Sequence, residues 1–151
     1  MSKASALTVT SIEDADVPAV IRLWKRAGLV REWNDPAGDI ELARRERNAT
    51  ILLGRDSDGA PVASVLVGHD GHRGWVYYVS VDPDHRFKDY GRQIMTAAED
   101  WLRARGIVKL QLMVRGDNRA AVKFYEAIGY GVEDCLVLSV RFDTPAAVLE
   151  E

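Results

Sequence analysis

At 151 residues the chain has the length of one domain and enough material to bury a core. Its 47% hydrophobic and 28% charged residues belong to a soluble globular chain and exclude a disordered one. A formal net charge of −3 excludes a general pull toward nucleic acid, and no basic stripe supplies a local one.

A single cysteine, Cys135, rules out a disulfide within the chain and points to a reducing cytoplasm. Within the apolar run "CLVLSV" it reads as a buried structural thiol. The start, "MSKASALTVT", lacks the apolar core of a signal peptide, and no run reaches membrane-spanning length, so no membrane partner is expected.

In chain order, "ALTVTSI" reads as a first strand. "SIEDADVPAVIRLWKRAG" follows as a helix, with Ser11 and early acids at its start, Val17, Val20, Ile21 and Trp24 at helical spacing, and Gly28 as a stop. "LVREWNDPAGD" is a loop in which Pro36 pushes Asp35 out of the helical region, and "IELARRERN" is a short polar helix. "ATILLGRD" and "PVASVLVGHD" form a hairpin through "SDGA", and "GWVYYVSV" is a third apolar strand. "GRQIMTAAEDWLRARG" is a helix ending at Gly106, and "IVKLQLMV" is a strand. "DNRAAVKFYEAIG" is a second clear helix, and "YGVEDCLVLSVRFD" supplies one or two closing strands. The tail "TPAAVLEE" is a helical turn or a frayed end.

Short connections make the central strands an antiparallel meander, and only the later β-α-β step needs a parallel crossover. The expected class is α/β (α+β), with a mixed, mostly antiparallel sheet flanked by helices, in one domain over 1–151. Neither GxGxxG nor GxxxxGK[ST] is present, which argues against the common nucleotide-binding loops.

Two segments carry chemistry. In "HRFKDYGRQIM" a strand enters a helix through Arg86, Lys88 and Arg92, and the free amides and dipole of a first helical turn favour an anion there. The other reading of that loop is a solvated charged turn. In "DNRAAVKFYEAIGY" Asn118 stands at a helix start and Tyr125 follows seven residues later on the same face, where it is either an acid or half-buried packing.

Together these segments resemble the GNAT superfamily of acetyl-CoA-dependent N-acetyltransferases. "VSVDPDHRFKDYGRQIMTAAEDWL" is similar to its pyrophosphate-binding segment and "GDNRAAVKFYEAIGY" to its second signature, and the element order agrees over essentially the whole chain. "WNDP" and "DGHRG" also resemble the small bacterial YpeA-type branch. The resemblance implies acetyl-CoA as cosubstrate, with no metal. It implies a strand around Val79 to Val81 that splays from its neighbour and pairs its backbone with the pantetheine arm, an amide there meeting the thioester oxygen. It implies Arg86, Lys88, Asp89, Tyr90, Gly91 and Arg92 around the diphosphate and Asn118 as a further cofactor contact. Tyr125 is implied as the acid for the departing thiolate, a reasonable pairing because phenol and thiol pKa values differ by about 1.5 units.

The loop departs from the family where Asp89 replaces an expected glycine, and Phe87 a common one. Glycine there permits positive φ and close approach to phosphate. Asp tolerates the left-handed region and can cap a helix, but its charge beside a diphosphate costs about 1–4 kcal/mol at 4 Å.

On the acceptor side Glu32, Asp35 and Asp39 crowd the first loop, where they either draw an ammonium or serve as turn and cap residues. Trp33 is an aromatic wall or core, and His72 is a base or a plain turn residue. The expected partner is a small-molecule amine or a peptide N-terminus, with a homodimer an open possibility. Two functions stay in view: direct acetyl transfer to a primary amine, and a degenerate domain that binds CoA without catalysis.

Overall fold

The computed structural model describes residues 6–143, whose contacts group into two units, Met1–Met113 and Val114–Glu151. The tail "TPAAVLEE" lies outside the described residues.

The first unit contains a five-stranded sheet in the order β1 (Thr8–Ser11), β2 (Ala49–Arg55), β3 (Pro61–His69), β4 (Gly74–Val81) and β5 (Leu110–Gln111). The first four strands form an antiparallel meander and β5 joins β4 in parallel, as the connection lengths require. Two helices, α1 (Val17–Arg26) and α2 (Pro36–Arg45), precede β2, and α3 (Tyr90–Arg103) makes the crossover from β4 to β5. Among them Val20, Leu23, Trp24, Ile40, Ala43, Ile51 and Leu53 form one apolar cluster. The buried stripe of α3, Ile94, Met95, Ala98 and Leu102, follows the spacing of a single helical face.

Several boundaries differ from the expectation. Ser11 closes β1 instead of opening a helix, and a short 3₁₀ turn at Asp14–Asp16 leads into α1, with Asp16 accepting from the Glu13 amide. The second helix begins at Pro36, earlier than "IELARRERN", because Pro suits a first helical position and Asp35 caps it by accepting from Gly38 N at 3.0 Å. Gly28 and Gly106 end α1 and α3 at φ +75° and +78°, the left-handed step that glycine takes without a Cβ penalty. The strand expected over "IVKLQLMV" reduces to Leu110–Gln111, the only two residues that find ladder partners.

The second unit contains α4 (Arg119–Ala127), with Asn118 as its cap. The closing strands expected over "YGVEDCLVLSVRFD" are not formed: residues 130–143 carry apolar β-formers but no ladder that would make them a strand. Cys135 is exposed, which corrects the buried thiol expected from its apolar neighbours.

Candidate functional site

The centre of β4 is irregular. Ser64 faces Ser80 and Leu66 faces Tyr77, so Val65 alone stands opposite both Tyr78 and Val79. This is a β-bulge, and Tyr78 takes φ +53° to make it. The extra residue leaves Tyr78 on the α1 side of the sheet, where its ring stacks on Trp24 at 3.8 Å and 7°. The Tyr78 hydroxyl donates to Asp39 Oδ2 at 2.6 Å. Burial, then Asp39, pushes the Tyr78 phenol well above its usual range. Below the ring, Trp24 Nε1 donates to Ser64 Oγ at 2.9 Å, and Ser64 Oγ lies 2.8 Å from the Tyr78 carbonyl and 2.7 Å from Ser80 Oγ.

The bulge lies beside an opening in the sheet. β5 pairs with β4 only at Gly74 and Trp75, so Val76–Val81 have no β5 partner among the described residues. Asp82 N donates to Val62 O on the β3 side. Alternation along an antiparallel ladder then turns the main-chain groups of Val79 and Val81 to the opposite, open edge. An extended chain could pair with that edge.

β4 ends in the loop singled out from the sequence. Asp82 starts a short 3₁₀ turn, Pro83–His85, by accepting from the Asp84 amide at 2.9 Å. Arg26, from the last turn of α1, holds both acids: its Nε and Nη2 reach Asp82 at 3.1 Å each, and Nη2 reaches Asp84 at 2.9 Å. Burial raises the Asp82 carboxyl, but the Asp84 amide and Arg26 outweigh it and leave the group below its usual value.

Phe87 and Asp89 both adopt left-handed backbone, at φ +67° and +66°. The loop therefore has the conformation that glycine would give, made from two residues with side chains. Phe87 is fully exposed. Asp89 precedes α3 but does not cap it; its carboxylate accepts from Arg92 Nε at 3.2 Å instead. That contact corrects the helix-cap reading and occupies one of the three expected cations. The first intrahelical bond from this end is Gln93 N to Asp89 O, which leaves the amides of Tyr90, Gly91 and Arg92 at the helix mouth. Arg86 and Lys88 are exposed beside them. Tyr90 is only 3% exposed, with its ring stacked 6.4 Å from that of His85, so its amide alone can serve an anion.

In the second unit Asn118 Oδ1 accepts from Ala121 N at 3.2 Å, which spends the carbonyl on capping and leaves the amide nitrogen for other work. Tyr125 meets Phe124 and Tyr130 edge-on at 5.0 and 5.8 Å. Burial pushes its phenol up, so it carries its proton at neutral pH.

The acceptor candidates separate. Asp35 is the cap of α2, and Asp39 is the partner of Tyr78, not the turn or cap residue it resembled. Trp33 is 55% exposed, which excludes its reading as core. His72 sits at the β3–β4 turn, its amide donating to Asp70 Oδ1. It precedes the first residue of β4, Gly74, so the structure places it in the turn and not on the strand that carries the bulge. Ser64, Trp24 and Tyr78 were not found from the sequence. The available signals were a serine inside "VASVLV" and the pair "YY", which interrupts strict alternation.

Among the described residues no group of three or more His, Cys, Asp or Glu side chains is placed to hold a metal ion, and no helix is long and apolar enough to cross a membrane.

Residues 17–130 match the acetyltransferase (GNAT) family. The chain is 42% identical to an acetyltransferase of Pectobacterium atrosepticum over 126 residues, covering 83% of this chain and 89% of the relative. It is 38% identical to an acetyltransferase of Yersinia enterocolitica over 135 residues, covering 89% and 95%. Its fold is similar to the ribosomal-protein-S18-alanine N-acetyltransferase from Escherichia coli, with a TM-score of 0.69, 24% identity and coverage of 82% and 76%. It is also similar to AAC(6′)-Iy in complex with the bisubstrate analogue CoA-S-monomethyl-acetylneamine, with a TM-score of 0.77, 13% identity and coverage of 91% and 99%.

Proposed function

Because the chain belongs to the acetyltransferase (GNAT) family and is an acetyl-CoA-dependent acyltransferase, we propose that it transfers acetyl directly to a primary amine. The observation that carries this reading is the continuous path from the open edge of β4, past Val79 and Val81, to a left-handed loop and the free amides of α3. An extended pantetheine arm suits the first part and a diphosphate the second. The family match over 17–130 runs across the boundary between the two units, which supports reading the chain as one acetyltransferase domain.

The cosubstrate supplies an acetyl thioester when bound. Val79 and Val81 hold the arm through main-chain groups, and the Val79 amide stabilises charge on the thioester oxygen as the amine attacks. Arg86, Lys88 and the amides of Tyr90, Gly91 and Arg92 hold the diphosphate, with Asn118 as a further contact. Asp89 modulates this cradle through Arg92. Tyr125, protonated at neutral pH, gives its proton to the thiolate as the C–S bond breaks. The proton that the amine loses passes to water, from which Tyr125 is reprotonated. Trp33 and the carboxylates of the first loop border the acceptor. The names of two proteins of similar fold, a ribosomal-protein-S18-alanine N-acetyltransferase and an aminoglycoside N-acetyltransferase, support a small amine or a peptide N-terminus as the acceptor.

The test is calorimetry with acetyl-CoA, followed by an amine panel read as free CoA released. Micromolar binding is expected, with stabilisation of about 2.7 kcal/mol at a hundredfold excess over Kd. Absence of both a titration heat and a thermal shift overturns the reading. One observation favours a second reading: the Asp89–Arg92 pair weakens the cradle, as a CoA-binding module without turnover would tolerate. Binding without CoA release from any amine would select it.

A further inference from the structure

Ser64 is completely buried in β3, yet it carries a hydroxyl with three polar neighbours. A hydroxyl has one proton to give and two lone pairs to receive. The indole Nε1 of Trp24 can only donate, so it takes one lone pair. The Tyr78 carbonyl can only accept, and two oxygens 2.8 Å apart with no proton between them would repel, so the Ser64 proton goes there. Ser80, at 2.7 Å, must then donate into the second lone pair. Every site on the hydroxyl is filled and its direction is fixed.

The Tyr78 carbonyl belongs to the same peptide unit as the Val79 amide. In a planar trans peptide C=O and N–H point in opposite directions. A carbonyl drawn toward Ser64 therefore turns the Val79 N–H away from β3, toward the open side of β4. Tyr78 holds φ +53°, a conformation strained for a residue with a Cβ, so the turn needs an anchor.

We propose that Ser64 is a positioning residue that aims the Val79 amide at the thioester oxygen by holding the Tyr78 carbonyl. Ser64 touches no substrate. The inference rests on the acetyl-CoA reading above and adds to it the residue that sets the direction of one donor.

The test compares acetyl-CoA, carrying ¹³C at the thioester carbonyl, with CoA, which has no acetyl oxygen. In the wild type the bound carbonyl stretch should lie below that of free acetyl-CoA. In Ser64→Ala it should return toward the free value, acetyl-CoA should bind about threefold to tenfold more weakly, and the Kd for CoA should be unchanged. Ser64→Cys keeps a weaker, longer donor and should fall between. Ile51→Val, a buried core change elsewhere in the sheet, controls for stability and should leave both readouts unmoved. A wild-type band position in Ser64→Ala, or in Ser64→Cys if the alanine variant does not fold, overturns the proposal. An equal loss of affinity for CoA and acetyl-CoA also overturns it, because that marks general damage. Binding to the wild type with no displaced band sinks the proposal alone. No acetyl-CoA binding by the wild type sinks the functional reading and the proposal with it.

Discussion

The Tyr78 hydroxyl donates to Asp39 Oδ2 at 2.6 Å, joining the bulge of β4 to the first turn of α2. With its ring stacked on Trp24 and its carbonyl on Ser64, Tyr78 is held at three points. Its folded-state pKa is raised, chiefly by burial. Such a group contributes stability that is fully present below the unfolded pKa of about 10 and is lost as pH rises through the folded value. Tyr78→Phe should therefore flatten the loss of stability above about pH 10. In a phenolate absorbance titration it should also delete a late step. Loss of a step near the usual value of about 10, with the late step retained, would mean that Tyr78 ionises like an exposed phenol.

Asp89 and Phe87 hold glycine's conformation at a cost. Asp89→Gly should relieve about 1 kcal/mol of backbone strain and release Arg92, tightening acetyl-CoA by about 1 kcal/mol or more. Asp89→Asn keeps the backbone preference but removes the charge, so it should give the affinity gain without most of the stability gain. Phe87→Gly should stabilise the free protein by a similar amount, because the ring it removes buries nothing. Calorimetric Kd values and melting temperatures for the three variants check this, and unchanged affinity in both Asp89 variants refutes the repulsion.

Arg26 grips Asp82 and Asp84 in a geometry that lysine cannot copy. Arg26→Ala and Arg26→Lys should both weaken acetyl-CoA binding several-fold and speed amide exchange in Pro83–His85. The Asp82 carboxyl is depressed, so its contribution is present above the unfolded value of about 3.9 and is lost as pH falls through the folded value. Wild-type stability should accordingly decline more steeply below about pH 4 than that of Arg26→Ala. Parallel acid unfolding curves would contradict the assignment.

Tyr125→Phe removes the proposed acid. Turnover should fall by about 10²-fold or more, while the Kd for acetyl-CoA barely moves. Because burial raises the phenol, the wild-type rate should hold its proton-donating form to higher pH than a free tyrosine would. An unchanged kcat would return Tyr125 to its packing role against Phe124 and Tyr130.

The meander, the crossover and the loop were legible because each rests on local chemistry: strand alternation, short turns, and a basic segment before a helix. The left-handed steps at Phe87 and Asp89 could be anticipated only as positions where glycine was expected. The bulge leaves only a faint mark in the sequence, the pair "YY" that interrupts strict alternation. It depends on Val65 standing opposite both Tyr78 and Val79, a one-residue offset made between partners on different strands. The bond between Asp39 and Tyr78 is illegible for a related reason. The spacing of Asp39 from Pro36 suits a helix start, while its partner, Tyr78, is 39 residues away. The exposure of Cys135 defeated composition, since an apolar neighbourhood in sequence guarantees no cover in space.

The ladder between β4 and β5 is two residues long, whereas β2 and β3 pair along nearly their whole length. The β2–β3 and β3–β4 hairpins close short loops, whereas β5 reaches β4 only through the crossover of α3. Unequal bonding of this kind separates a protein into parts that open at different free energies. Native-state hydrogen exchange should find β2 and β3 opening only with global unfolding, and Leu110–Gln111 exchanging through a smaller, cheaper opening. A ligand strand that slides along β4 would then displace almost no existing ladder. The seam with the shortest ladder is the one that a cosubstrate can enter with the least disruption.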